Sequence, residues 1–141
     1  YADLPHRLEA GTPPILEVIG LGAALTWFMA MDRVAIAAHE TALYDHVRKR
    51  LSAFDWLTVL GEAPGKGAIL AFTVADAHAH DMAQIMDRYG VAVRAGLHCA
   101  EPLSRRFGVT ASARASFALY NTIEDADAFV DALVKARQFF V

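Results

Sequence analysis

The sequence predicts an α+β fold, a small mixed sheet with helices packed on it, in the order α-α-β-β-α-β-(α)-β-α. Three observations lead there. Apolar residues recur at helical spacing in several separated stretches. Between them lie short β-type runs, two of which flank a Gly- and Pro-rich turn. The chain has 141 residues, 55% of them hydrophobic, enough for one sizeable core. Helices alternating with short strands suit a sheet covered on one face.

Taken in order, Thr12-Pro13-Pro14 reads as a helix start, with Thr12 as N-cap and Pro13 at the first helical position, where a missing N–H costs nothing. The helix runs to about Met31, and its apolar content predicts burial, with an interface as its setting. Asp32 caps a second helix that ends near Phe54, with Val34, Ala38, Tyr44, Val47 and Leu51 on its apolar stripe. Trp56–Leu60 and Ala68–Val74 form a hairpin across Gly61–Gly67. His78-Ala-His-Asp81 leads into a helix that carries Met82, Ile85, Met86 and Tyr89 on one face and ends at Gly90 as its C′ residue. Val91–Val93 is then a short strand, Pro102–Phe107 a short helix, and Ala113–Tyr120 a strand with Phe117 and Leu119 on one face and Arg114 and Ser116 on the other. Thr122 and Asp125 make a capping box for the last helix, with Ile123, Ala126, Phe129, Val130, Leu133, Val134 and Phe140 on its stripe.

The net charge of -3, with acids and bases interspersed, supplies no basic stripe for nucleic acid and no polybasic flank for a membrane surface. The longest apolar stretch, Ile15–Met31, contains Glu17, Gly20 and Gly22 and falls short of the ~20 residues that span a bilayer. Residues 1–9 lack the apolar run of a secretory signal, which predicts a cytoplasmic protein. The chain opens on Tyr1 rather than Met, which predicts a piece of something longer. Mean hydropathy of +0.29 points the same way, toward apolar surface meant for more protein.

Cys99 is the only cysteine. A lone thiol cannot form an intramolecular disulfide, and Arg94, His98, Arg105 and Arg106 are cations close in sequence that favour a thiolate. Against this stands plain packing, since free cysteines are commonly buried. Arg114, among Ala and Phe on a strand, needs a carboxylate partner, either an internal acid or a ligand. Gly11 and Thr12 sit at a helix start, where free N–H groups favour an anion. His78 and His80 lie two apart with no clustered ligands, which argues against a metal site. Cys99 and Arg105 fit the Cys-x5-Arg spacing of thiol phosphatases, but the interval has no glycine and Pro102 removes a donor.

The elements Glu9-Ala-Gly-Thr-Pro-Pro14, His78-Ala-His-Asp81, Val91-Ala-Val-Arg-Ala-Gly-Leu-His-Cys-Ala-Glu-Pro102, Ala113-Arg-Ala-Ser-Phe117 and Tyr120-Asn-Thr122 follow one another as in SufS-type cysteine desulfurases. The chain resembles the C-terminal portion of that family, the class V branch of fold-type I pyridoxal phosphate enzymes. The resemblance implies removal of sulfur from L-cysteine to leave L-alanine, or of selenium from L-selenocysteine, for iron–sulfur cluster assembly. It implies that Cys99 is the thiolate that becomes a persulfide and that Arg114 binds the substrate carboxylate. Arg94 and His98 line the substrate site by the same resemblance, with structural pairing or loop shaping as their alternatives. The resemblance also implies that Thr12 and Gly11 reach the cofactor phosphate across a homodimer, with a plain N-cap as the alternative for Thr12. His80 matches the family's His-Pro-His-Asp element with Ala79 in place of Pro; it belongs to the helix cap or engages a sulfur acceptor.

The resemblance further implies a SufE- or SufU-like acceptor that brings its own thiol to a compact cysteine loop. The family's cofactor lysine lies in a Ser-x-His-Lys element, and Lys49, Lys66 and Lys135 are not in one. Residues 1–141 are therefore expected to be the small domain, with residues 1–31 linking to a large cofactor domain, and the chain alone is expected to be inactive. A non-enzymatic module that carries persulfide or mediates dimer contacts remains the reading from another class.

Overall fold

A computed structural model describes residues 2–141, so the sequence reading that begins at Tyr1 lies partly outside the described residues. The chain divides into two compact units, one reaching to Ile36 and one spanning Ala37–Val141.

In the first unit a 3-10 turn at His6–Leu8 precedes helix α1, Ile15–Met29. The expected start at Thr12 is corrected: Pro14 is the N-cap and no side chain caps the helix. The cause is the proline pair. Each proline disfavours helical geometry in the residue before it, so Pro14 keeps Pro13 extended and Pro13 does the same to Thr12. Burial of α1 is corrected as well, since none of its residues is buried. Leu16, Trp27 and Met29 are among its exposed side chains. A helix apolar on every side buries itself only against a second layer.

Helix α2, Arg33–Leu51, starts as expected, with Asp32 Oδ1 accepting from the N–H groups of Val34 and Ala35 at 2.9 and 3.1 Å. Its buried stripe is Leu43, Val47 and Leu51, whereas Val34 is exposed. Strands β1 (Leu57–Leu60) and β2 (Ile69–Val74) form the expected hairpin. Helix α3 (Ala79–Asp87) follows. Its exit is a Schellman motif, with Gly90 N–H on Asp87 O, Val91 N–H on Met86 O, and Gly90 at φ +78°.

The strand expected at Val91–Val93 is instead β3, Arg94–Gly96. Helix α4 (Glu101–Phe107), strand β4 (Ser112–Ser116) and helix α5 (Ile123–Arg137) complete the unit, and α5 opens with the predicted capping box. Strand β4 stops at Ser116, short of Tyr120, because Asn121 Oδ1 takes the Ala118 N–H into a turn instead.

The sheet order is β1-β2-β4-β3. The α+β class and the element order hold, and all three ladders are antiparallel rather than mixed. Alternation puts Leu70, Phe72, Val74, Ala113, Ala115 and Phe117 into one core with Leu43, Val47, Met82, Met86, Phe129 and Leu133 from the helices. Phe129 meets Phe72 and Phe117 edge to face, with centroids 5.8 and 5.9 Å apart. The other face of the sheet carries Leu60, Ala71, Arg94, Gly96, Ser112 and Arg114 by the same alternation.

Candidate functional site

That second face is where the chemistry-bearing residues gather. Register pairs Arg94 with Arg114 directly across the β3–β4 ladder, so both side chains leave the same face. Ala71 stands opposite Arg114 on β2 and adds no bulk beside it. Two like charges directly opposite destabilise a ladder. Among the described residues neither arginine has an acidic partner, and the buried Nε of Arg114 has no hydrogen-bond partner at all. The alternative of an internal salt bridge for Arg114 is thereby excluded among those residues. A pair of guanidinium groups side by side is suited to a carboxylate, which can accept from both.

Strand β3 runs straight into the turn Leu97-His98-Cys99-Ala100. Ala100 N–H donates to Leu97 O at 2.9 Å, with φ of +55° at His98 and +58° at Cys99. Positive φ at both central positions makes this a mirror-image turn of the I′ kind, a geometry usually given to Asn-Gly. Neither residue here is glycine, so both hold a sparsely populated backbone conformation. Gly96, at φ +130°, admits the chain to the turn from a conformation that side chains rarely adopt.

Cys99 is exposed rather than packed. The His98 ring is half-buried, and its Nε2 lies 3.0 Å from Ser112 O. A carbonyl only accepts, so Nε2 carries the proton and Nδ1, buried and without a partner, is left as the bare lone pair. Burial, followed by the fields of Arg114 and Arg94, holds the imidazole below its ordinary value of 6.5, outweighing the opposing pull of the Ser112 carbonyl. His98 and Arg114 share a cleft of about 210 Å³, whose other walls, chiefly Leu60, Leu97, Leu103 and Phe107, are apolar.

The remaining expected residues are placed as follows. His78, not His80, caps α3, its ring accepting from the His80 N–H at 3.3 Å. The His80 ring stacks on His78 and approaches Gly96, so it borders β3. Arg105 is paired with Glu101 at 2.7 Å along α4. The residues following Cys99 are helical from Glu101, not a cradle for phosphate, and the Cys-x5-Arg reading is dropped. Gly11 and Thr12 are exposed in the first unit, three to four residues ahead of α1. Sequence reasoning missed Ser112, which acts through its carbonyl and so leaves no side-chain signature, and the I′ turn, whose His-Cys centre carries no turn signal.

The chain matches the model of the aminotransferase class-V family over residues 1–129. It is 45% identical over 99% of its length to a probable cysteine desulfurase of Streptomyces coelicolor, of which it covers 34%. It is 42% identical, again over 99% of its length, to the cysteine desulfurase of Haloferax volcanii, covering 33% of it. Its fold superposes with a TM-score of 0.89 on the crystal structure of the cysteine desulfurase CsdA (S-sulfonic acid) of Escherichia coli, at 39% identity over 97% of this chain and 34% of that one. The chain thus spans about a third of the length of these relatives.

Proposed function

The chain belongs to the aminotransferase class-V family, and from that premise we propose that it supplies the sulfur-accepting portion of a cysteine desulfurase. The observation that carries this reading is the Arg94–Arg114 pair, unpartnered and directly opposed on the face that ends in the Cys99 turn. The two guanidinium groups take the α-carboxylate of L-cysteine. Cys99, as thiolate, attacks the divalent sulfur of the substrate; as the S–S bond forms the substrate Cβ–S bond breaks, its electron pair passes to the carbon skeleton, and protonation there gives L-alanine while Cys99 holds the persulfide. Exposure of Cys99 supports onward transfer to an acceptor with its own thiol, of the SufE or SufU kind. A reduced free cysteine suits a cytoplasmic setting.

The family implies pyridoxal phosphate, which serves as an electron sink when bound. The residues described here do not anchor it. Lys66 donates to the carbonyls of Leu60 and Gly61 and lies over the Tyr44 ring, Lys135 lies over Tyr89, and Lys49 is exposed on α2. None of the three lines the cleft that His98 and Arg114 share. Among the described residues the contact proposed with the cofactor is at the start of α1, which has no side-chain cap. Gly11 and Thr12, just ahead of it, are proposed to approach the phosphate in a second copy of the protein.

This division of labour has a direct test. The 141-residue chain, incubated with L-cysteine and added pyridoxal phosphate, is expected to release no alanine above the cofactor-only background. Steady alanine release from the chain alone would overturn the division.

A further inference from the structure

The Cys99 turn is held in an unfavourable conformation, and one contact outside the turn grips it. Two successive non-glycine residues at positive φ favour relaxation to ordinary geometry. The hydrogen bond within the turn, Ala100 N–H to Leu97 O, survives many turn types and does not by itself select this one. The His98 Nε2–H to Ser112 O bond does select it, because it ties the first of the two strained residues to a strand 14 positions away. Ser112 is itself 4% exposed, stands opposite Gly96 in the ladder, and lies two residues from Arg114.

We propose that His98 is a positioning residue: its Nε2–H, donated to the Ser112 carbonyl, latches the mirror-image turn and fixes Cys99 relative to the two arginines. This deepens the desulfurase reading, on which it rests for the role of Cys99. The His98 ring itself makes no contact with the reacting sulfur in this account. The half-buried ring donates through Nε2–H with Nδ1 buried and unpartnered, and its titration is held below 6.5 by burial, so near neutral pH it adds no third positive charge beside Arg94 and Arg114.

Three variants separate this from general support of the loop. Gln places an amide N–H where Nε2–H was. Asn tolerates positive φ better than His but places its amide nearer the Nδ1 position. Leu fills space and donates nothing. Residue-resolved hydrogen exchange on the 141-residue chain is read at the Ala100 amide, with Phe72 in the β2 strand as control for the core.

Loss of one hydrogen bond is expected to accelerate Ala100 exchange about fivefold in His98→Asn and His98→Leu, with Phe72 unchanged. His98→Gln is expected to restore the wild-type rate. In a holoenzyme carrying this sequence, the same Asn and Leu variants are expected to lower kcat by a similar factor at unchanged KM for cysteine, since the arginine pair is intact. A wild-type exchange rate in His98→Asn, or a His98→Gln variant as fast as His98→Leu, would overturn the latch. Acceleration at Phe72 together with Ala100 would also overturn it, assigning His98 to the core. Failure of the underlying reading shows elsewhere, as undiminished alanine release by Cys99→Ser, and leaves the exchange result standing.

Discussion

Arg94 and Arg114 face each other across a ladder that their charges weaken, a cost that an anion bound between them would relieve. It follows that function and stability part company here. Replacing Arg114 by Met keeps much of the side-chain length and removes a buried Nε that has no partner. Arg114→Met is expected to lower kcat/KM for cysteine in the holoenzyme by about 10- to 100-fold, as for the loss of a charge-assisted pair. Its thermal midpoint is expected to equal or exceed that of the parent chain, a combination that calorimetry and initial rates check together. His98 makes a second prediction at this scale. Its imidazole is held below 6.5 chiefly by burial, so as pH falls through 6.5 the unfolded chain takes up a proton that the folded chain refuses. The stability tied to His98 is complete above pH 6.5 and declines below it toward the folded value. Thermal melts just below pH 6.5 are expected to show a smaller loss in His98→Gln than in the parent. Residue types were legible in the sequence because chemistry restricts them: a thiol, a histidine and arginines in one stretch. Their pairing was not, since nothing local to Arg94 or Arg114 states which residue lies opposite.

At the scale of elements, punctuation was read more securely than pairing. The Thr122–Asp125 capping box, the Asp32 cap and the Gly90 exit stand where residue chemistry put them, because each is satisfied within a few residues. Strand β3 moved from Val91–Val93 to Arg94–Gly96 because a strand exists only where a partner supplies hydrogen bonds, and β-branched residues do not carry that information. The start of α1 moved because two adjacent prolines act on the residues before them. Helix α4, which follows the Cys99 turn, ends in a Schellman motif with Gly108 at φ +69° and open space around the missing Cβ. Gly108→Ala therefore meets only the backbone cost of the left-handed region, expected to be about 1 kcal/mol in urea unfolding. Gly11→Ala, with open space and no positive φ, is expected to change stability by less than about 0.5 kcal/mol.

For the molecule as a whole, the unit Ala37–Val141 has a covered face and a chemical face. Helices α2, α3 and α5 share the core with one side of the sheet, which leaves the arginine pair and the Cys99 turn on the other. Among the described residues no single helix is long and apolar enough to cross a membrane. The class-V fold was legible from five motifs in order, and the exposure of α1 was not, because hydropathy records what a helix prefers and not what stands beside it. The proposed chemistry turns on one atom, the Cys99 sulfur, and mass spectrometry of Cys99 peptides from a holoenzyme turning over L-cysteine reads it directly. Cys99 is expected to gain one sulfur atom, removable by a thiol, and alanine release is expected to collapse in Cys99→Ser. An unmodified Cys99 during turnover, or alanine release at the parental rate in Cys99→Ser, would contradict it.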